Sequence, residues 1–348
     1  MLEKALSKQL DIQKHVFPKV NFIGNKRKFS ELIVESTPLK NGTVLDLFAG
    51  GSSVGFDYKK RGYKVISNDS MYASFVINKG LIENPNILLP KYTIDEGSKY
   101  FIKSEEREKY DWLSNNLYHP EEVDELAHLV QYSLILEGYE KYLYQSLIRR
   151  AMIRKLPYSR MNIDWENIKK LRDEEYSYKK YGRRRAYHNE SFAAHMKKDI
   201  QSYNEAVFDN KQSNLTIQMD AIDAVKEIKD IDILYLDPPY PGTMNNYSGF
   251  YGQFDKIFNK EIEYSDWTKG DNFLSNLQLV LEEAARKNVQ YLLISINTRS
   301  KPDYKEIISM FNFYGEVEVK DRKHNYQVSG KGNKNNNKEL LITLKFWR

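Results

Sequence analysis

Short apolar runs that end in small or polar residues recur near both ends of the chain, and they predict the strands of a sheet. Residues 43–48 form one run, and residues 231–236 form another that ends at Asp237. Both runs are almost continuously apolar, which is typical of parallel strands covered on both faces. Sheets of this kind carry their ligands at the carboxyl ends of the strands. We therefore expect the residues that follow these runs to form a site.

The rest of the pattern predicts a doubly wound α/β sheet that is interrupted by a helical insertion. Strands alternate with helices on both sides of residues 92–213, whereas this central stretch is helical, charged and rich in tyrosine. The other predicted strands cover residues 64–67, 215–219, 289–296, 316–320 and 340–346, and predicted helices cover residues 54–61 and 272–286. We predict a discontinuous catalytic domain over residues 16–91 and 214–348, with residues 92–213 as the insertion.

Composition narrows the class of protein. The 348 residues contain no cysteine, which removes disulfides, thiolate nucleophiles and cysteine-ligated zinc. No run of eighteen apolar residues occurs, and residues 1–15 alternate in charge without a hydrophobic segment, so we expect neither a membrane span nor a secretion signal. The six histidines have no metal-ligand spacing, and we expect no metal. These features predict a cytoplasmic protein.

Charge is distributed unevenly along the insertion. Residues 95–140 hold twelve acidic and four basic side chains, whereas residues 149–199 hold fifteen basic and seven acidic ones. Charged runs are usually solvated faces, but a basic segment of this size is also a candidate surface for a polyanion. An Asn- and Lys-rich patch at residues 330–338 predicts an exposed loop.

The first strand-helix-strand unit predicts a turn that binds a nucleoside. Residues 49–53 (AGGSS) follow the first strand, and the second strand ends at Asp69. Glycines let the backbone approach a ligand, and an acid at the second strand end can hold ribose hydroxyls. The spacing that seats a dinucleotide pyrophosphate is missing, so an adenosine-bearing ligand such as S-adenosylmethionine fits better. An ordinary glycine turn is the plain alternative.

The tetrapeptide from Asp237 to Tyr240 carries the most specific chemistry. Asp237 offers an acceptor, the two prolines fix φ and remove backbone donors, and Tyr240 supplies a flat face. Such a tip suits a planar ring that carries an amino group, although a tight Pro-Pro turn explains the same residues. The aromatic residues of 241–254 then predict either a mobile lid over a base or a loop packed on the core.

In their order along the chain, these motifs resemble those of the N6-adenine DNA methyltransferases of the alpha, or Dam-like, class. Residues 22–26 (FIGNK) look like the N-terminal cofactor motif, residues 46–52 like the glycine loop, and Asp69 like the ribose-binding acid. Residues 237–240 look like the catalytic motif, so the resemblance spans nearly the whole chain. It implies a Rossmann-like S-adenosylmethionine-dependent methyltransferase fold with a largely helical target-recognition insertion.

The resemblance also implies roles for single residues. Lys26 is expected to meet the cofactor's carboxylate, Asp69 its ribose, and Asp220 its adenine, with S-adenosylhomocysteine as the product. For Lys26 the alternative is a solvated basic face that opens a helix. The implied catalytic residues are Asp237, Pro238, Pro239 and Tyr240. The implied cofactor-binding residues are Phe22, Lys26, Asp46, Phe48, Gly50, Asp69, Asp220 and Asp237.

One position departs from the family's pattern. The glycine loop usually reads Phe-x-Gly-x-Gly, and Ser52 stands here where the second glycine is expected. Serine has a steric cost at positive φ that glycine lacks, so either Ser52 is strained or Gly51 carries the turn.

The basic half of the insertion is the predicted DNA surface. Residues 149–160 and 181–189 look like the branch found among type IIS modification enzymes, and their side chains are expected to contact phosphates and base edges. The candidate DNA-binding residues are Arg149, Arg154, Arg160, Arg183, Arg184, Arg185 and Asn189.

The combined expectation is a site-specific DNA adenine methyltransferase of a bacterial restriction-modification system. It would act on an adenine flipped out of double-stranded DNA, with Asp237 and the Pro238 carbonyl accepting from the amine. A cognate restriction endonuclease encoded nearby is the expected companion. The alternatives are methylation of cytosine N4 or of RNA adenine, or a catalytically silent nucleic-acid-binding partner. The acid at position 237 favours DNA adenine through the resemblance.

Overall fold

Seven strands form a single sheet in the computed structural model, which describes residues 14–242, 245–323 and 338–347. They are β1 (Thr43–Asp46), β2 (Lys64–Asn68), β3 (Leu215–Ile217), β4 (Ile233–Leu236), β5 (Tyr291–Asn297), β6 (Gly315–Lys323) and β7 (Lys338–Phe346). Their order across the sheet is β3-β2-β1-β4-β5-β7-β6. The first five strands in this order are parallel, and β7 runs antiparallel to both of its neighbours. The predicted α/β sheet is confirmed.

Helices fill the connections. Those flanking the strands are α1 (Ser30–Ser36), α2 (Ser53–Lys60), α3 (Tyr72–Asn78), α11 (Ala221–Glu227), α12 (Tyr247–Ile257), α13 (Gly270–Arg286) and α14 (Tyr304–Phe311). Those between β2 and β3 continue with α4 (Tyr92–Ser98), α5 (Ser104–Glu108), α6 (Pro120–Ile135), α7 (Gly138–Lys155), α8 (Trp165–Arg172), α9 (Glu174–Tyr181) and α10 (Phe192–Glu205). The predicted 330–338 loop lies outside the described residues except for Lys338, which begins β7.

Alternate residues of the central strands pack into two different hydrophobic clusters, one on each face of the sheet. Val44 belongs to one cluster and Leu45 to the other, and Ile233 and Leu234 divide in the same way. Successive strand side chains point to opposite faces, so a strand covered on both faces needs an apolar residue at every position. This is why the apolar runs of β1 and β4 lack alternation.

The insertion shares its core with the sheet. Leu126 of α6 and Leu147 of α7 are buried in the same cluster as Val44 of β1. Helix α7 also packs along α3, which is the first helix after β2. The insertion is therefore attached to one face of the sheet by a continuous apolar contact. The exact domain boundaries given above remain predictions.

Within the described ranges, no helix is both long and apolar enough to span a bilayer. No group of three or more histidine, aspartate or glutamate side chains in these ranges is arranged to hold a metal ion.

Candidate active site

Three acids predicted from separate motifs meet at one edge of the sheet. Asp46 ends β1, Asp69 follows β2, and Asp237 follows β4, and these strands are parallel neighbours. The carboxyl ends of parallel neighbours lie side by side, so residues far apart in sequence converge there. They line a cavity of about 430 Å³. Its charged lining residues are Lys26, Asp46, Asp69, Asp220, Asp237 and Asp266.

The glycine loop beside the cavity contains two residues in the left-handed conformation. Gly50 has φ +48°, and its amide donates to Asp69 Oδ2 at 2.8 Å. Ser52 has φ +70° and is fully buried, so the alternative that Gly51 carries the turn is wrong. A Cβ on Gly51 would lie 2.8 Å from Phe22 Cβ, so this glycine is required by the close approach of the N-terminal motif. The loop thus needs its glycines for two different physical reasons.

The carboxylates of Asp69 and Asp46 are both largely buried away from water. Both oxygens of Asp69 accept backbone hydrogen bonds, from Gly50 and Met71, yet burial raises the pKa of Asp69 to about 6. Burial, followed by the charges of Asp237 and Asp69, raises the pKa of Asp46 well above its usual range. Asp46 Oδ1 is buried without a hydrogen-bond partner among the described residues. Strongly perturbed acids that share a cavity are typical of functional sites.

Asp237 belongs to a network of four polar side chains. Lys26 Nζ lies 2.8 Å from Asp237 Oδ1 and 3.2 Å from Glu339 Oε1. The Tyr240 hydroxyl lies 2.9 Å from the same two oxygens. Burial raises the pKa of Asp237, the charge of Lys26 opposes this, and Glu339 adds to it. Burial lowers the pKa of Lys26, but the two carboxylates outweigh it and raise that pKa overall.

This network competes with the roles predicted for Lys26 and Tyr240. In the structure the Lys26 ammonium contacts two protein carboxylates and directs its third donor to the Gly24 carbonyl at 3.4 Å, so a cofactor carboxylate would compete with partners already in place. The same ammonium lies 5.0 Å from the centre of the Tyr240 ring. Of the two prolines, Pro239 lines the cavity and Pro238 is buried. Stacking of a base on Tyr240 therefore remains a prediction.

Glu339 is a site residue that the sequence motifs missed. Acids were sought at the ends of strands, whereas Glu339 is the second residue of β7. Because β7 is antiparallel to β5, its beginning lies at the edge where β5 ends, and Glu339 pairs with Asn297. The sequence signal that could have identified Glu339 is an acid at the start of a terminal antiparallel strand.

A segment between α12 and α13 closes the side of the cavity next to Asp220. Asp220 caps α11 by accepting from the amides of Ile222 and Asp223, and its other oxygen accepts from the Ser265 amide at 2.7 Å. Trp267, which is buried, packs edge-to-face on Phe48 at 5.0 Å, and its indole nitrogen has no hydrogen-bond partner among the described residues. Asp220 therefore caps α11 and connects it to the segment at Ser265. Its predicted contact with the cofactor's adenine remains a prediction. No motif pointed to residues 264–268.

The N-terminal motif is held in place by α12. Phe22 stacks on Tyr251 at 4.7 Å, and the Tyr251 hydroxyl accepts from the Ile23 amide at 2.7 Å. Phe250, Tyr251 and Phe254 are all buried. The described part of residues 241–254 therefore favours the packed alternative over the mobile lid, with Tyr247 as the aromatic residue that lines the cavity.

Comparison with known proteins assigns this chain to a family. The profile described as D12 class N6 adenine-specific DNA methyltransferase matches residues 22–324. The chain belongs to this family. It is 40% identical over 337 residues to the type II methyltransferase M2.HphI of Haemophilus parahaemolyticus, covering 94% of this chain and 98% of that one. The predicted activity, an adenine-specific DNA methyltransferase, is confirmed.

More distant relatives carry related names. The modification methylase LlaI of Lactococcus lactis subsp. lactis is 25% identical to this chain. The alignment covers 94% of this chain and 55% of LlaI. The type II methyltransferase M.NlaIII of Neisseria lactamica is 23% identical, with 86% of this chain and 90% of that one aligned.

The predicted DNA-binding residues of this methyltransferase fall into two groups, one buried or half-buried and one at the surface. The buried group includes Arg149, for which the structure corrects the prediction. Its side chain is fully buried in α7, and it donates to the backbone oxygens of Val20 and Asn21. Its guanidinium also lies 4.6 Å from the centre of the Tyr251 ring. Arg149 therefore holds the N-terminal motif against α12, and the prediction that it contacts DNA is wrong.

Arg154 and Arg160 are half-buried neighbours of Arg149. Arg154 pairs with Asp199 at 3.3 Å, which ties α7 to α10. Arg160 lies 5.7 Å from the ring centre of Tyr158 and 5.8 Å from that of Phe250.

The second group lies at the surface. Arg183 and Arg184 are exposed, and Arg184 pairs with Glu175 at 2.9 Å. Arg185 is half-buried, with its guanidinium 4.7 Å from the Tyr181 ring centre. Asn189 is exposed but accepts from Arg172 Nε at 3.2 Å. Among the predicted arginines, the structure thus leaves Arg183 and Arg184 exposed.

Proposed function

We propose that this methyltransferase binds S-adenosylmethionine in the cavity at the carboxyl edge of the sheet and acts on an adenine turned out of a DNA duplex. The observation that carries the proposal is the convergence of Asp46, Asp69 and Asp237 on one cavity beside Lys26. These residues come from four separate motifs, and their convergence is what a shared ligand requires.

The cavity suits the cofactor in charge and polarity. Five aspartates and one lysine line it, so it favours a ligand with cationic centres. The buried atoms Asp46 Oδ1 and Trp267 Nε1 have no partner among the described residues, and a ligand that meets them would remove a desolvation cost. Asp69 would hold the ribose, because each of its oxygens keeps a lone pair beyond its backbone bond. S-adenosylmethionine, when bound, supplies an activated methyl group.

The protein's part in the chemistry is to prepare the amine. The N6 lone pair of adenine is delocalised into the ring, which makes the nitrogen a poor nucleophile. Hydrogen bonds donated by its two N–H groups to the Asp237 carboxylate and the Pro238 carbonyl would favour a tetrahedral nitrogen and free the lone pair. A carbonyl fixed by proline needs no reorganisation, so positioning and electrostatics supply the acceleration.

The target base has to leave the duplex to reach this cavity, at a cost of a few kcal/mol. A surface around α9 offers the contacts to offset that cost. Exposed basic and aromatic side chains alternate there, and phosphates pair with the former while bases stack on the latter. The members of this α9 surface are Tyr178, Lys179, Lys180, Tyr181, Arg183, Arg184 and Tyr187.

The cellular role follows from the names of the relatives. LlaI is named a modification methylase, and M2.HphI a type II methyltransferase. We infer that this chain modifies one DNA sequence in the cytoplasm and so protects it from a cognate restriction endonuclease.

Methyl transfer to unmethylated duplex DNA tests the proposal. Labelled S-adenosylmethionine is incubated with the protein and duplex DNA, and the DNA is then digested to nucleosides. N6-methyladenine is the expected labelled product. Label in N4-methylcytosine, or activity on RNA alone, would contradict the proposal. Mapping the modified bases in the same DNA identifies the recognition sequence.

A further inference from the structure

Glu339 brings a second acidic side chain to the catalytic aspartate from strand β7. Its side chain is only 6% exposed, and it lies on β7, more than one hundred residues after Lys26 and Asp237. Antiparallel pairing with β5 fixes its place at the edge of the sheet that holds the cavity. It is not part of the motifs that led to the site.

Glu339 and Asp237 share the same two donors. Lys26 Nζ reaches Asp237 Oδ1 at 2.8 Å and Glu339 Oε1 at 3.2 Å. The Tyr240 hydroxyl lies 2.9 Å from each of these oxygens. Both donors therefore meet Asp237 at the same oxygen, Oδ1.

We propose that Glu339 is a positioning residue for Asp237. It anchors Lys26 and Tyr240 so that both engage Oδ1, which fixes the carboxylate's orientation and reserves Oδ2 for the amine of the target base. This inference rests on the acceptor role proposed for Asp237.

The energetics argue against a purely structural pair. Lys26 and Asp237 alone would be neutral, and a second buried carboxylate adds a desolvation penalty that a structural ion pair does not need. Such a surplus of buried charge is found where a group is being tuned for function. Here the tuned group is Asp237, whose proton affinity Glu339 increases.

The effect on Asp237 has to be separated from that of its other neighbours. Removing the charge of Glu339 alone lowers the pKa of Asp237 and moves the acidic limb of the rate profile to lower pH. The titratable and charged groups that interact with Asp237 are Lys26, Asp46, Tyr235, Tyr240, Tyr247 and Glu339.

Two variants of Glu339 and one control test the proposal. Glu339→Gln keeps an acceptor without the charge, whereas Glu339→Ala removes both. Glu316→Gln changes an exposed carboxylate on the neighbouring strand β6, which pairs with Lys345. Methyl transfer to duplex DNA is measured in steady state and in single turnovers from pH 5 to 9, together with cofactor affinity and thermal unfolding.

We expect Glu339→Ala to lower kcat by about 10²-fold, the scale of removing one preorganised polar group, with KM values nearly unchanged. Glu339→Gln should lose about tenfold or less and shift the acidic limb to lower pH. Glu316→Gln should match the unmodified enzyme in rate and profile.

Several results would overturn the inference. One is that both Glu339 variants have the same rates and pH profiles as Glu316→Gln. Another is that their KM rises while kcat is unchanged. If Glu339→Ala does not fold, the pH profile of Glu339→Gln decides alone. Full activity in Asp237→Ala would instead remove the acceptor role of Asp237. An inactive Asp237→Ala beside normal Glu339 variants would remove only the role of Glu339.

Discussion

The cavity edge and the basic half of the insertion differ in how well the sequence predicts whether a side chain lines a site, is buried or is exposed. Asp46, Asp69 and Asp237 lie at the carboxyl ends of strands, and all three line the cavity. Arg149 and Arg183 lie in the same basic segment, yet one is fully buried and the other exposed. A strand end in a parallel sheet has one possible edge, whereas a charge on a helix can face any direction. Strand topology is therefore a better guide to a site than charge density.

The largest expected effect tests the cavity side of this comparison. Asp237→Ala should reduce methyl transfer by about 10³-fold or more, because it removes the acceptor for the target amine. Cofactor affinity should change little, since Asp46 and Asp69 remain. Radiolabel transfer and calorimetric titration of the cofactor measure the two quantities. Substantial transfer by the variant would refute the assignment of Asp237.

Arg149→Ala tests whether the buried arginine is structural. It should destabilise the fold by about 3 kcal/mol or more, because the backbone oxygens of Val20 and Asn21 lose a buried donor and α7 loses packing. Arg183→Ala is the matched control, and a surface change of this kind should stay within about 0.5 kcal/mol. Urea unfolding measures both. Equal stabilities of the two variants would contradict the comparison.

Replacing Arg183, Arg184 and Arg185 together by glutamine tests the exposed side. The slope of log K against log salt for DNA binding should fall by about 0.9 for each phosphate that the variant no longer neutralises. Arg184 should contribute least, since Glu175 already pairs with it. Fluorescence anisotropy over a salt series measures the slope, with Lys226→Gln on α11 as a control. A slope equal to the control's would reassign these arginines to a solvated face.

The smallest expected effect concerns the loop under the cavity. Ser52→Gly relieves a left-handed serine, a strain of about 1 to 2 kcal/mol, but glycine's greater freedom in the unfolded chain offsets part of it. We expect a gain in unfolding free energy of about 1 kcal/mol or less. Ser53→Gly, in the first turn of α2, should instead destabilise by up to about 1 kcal/mol. Chemical denaturation distinguishes the signs, and a destabilised Ser52→Gly would show that the hydroxyl contributes to the loop.

Much of the fold was open to prediction. The runs at 43–48 and 231–236 became β1 and β4, shorter by about two residues at an end, and the helix predicted over 272–286 became α13. Apolar runs predict such elements because burial on both faces of a sheet requires them. The lid hypothesis was less secure, because aromatic residues serve a core and a binding site equally well. There the packing of Tyr251 on Phe22 decided in favour of the core.

By itself, the sequence determined the α/β class, the order of the motifs and four of the acids at the cavity, Asp46, Asp69, Asp220 and Asp237. These features depend on local periodicity and on strand ends, which are properties of short segments. Only the tertiary structure decided that Glu339 joins Asp237, that Arg149 is buried, and that Ser52 takes the left-handed conformation. Each depends on packing against elements distant in the chain. Such packing is fixed by how the sheet and its helices assemble, and no local pattern records it.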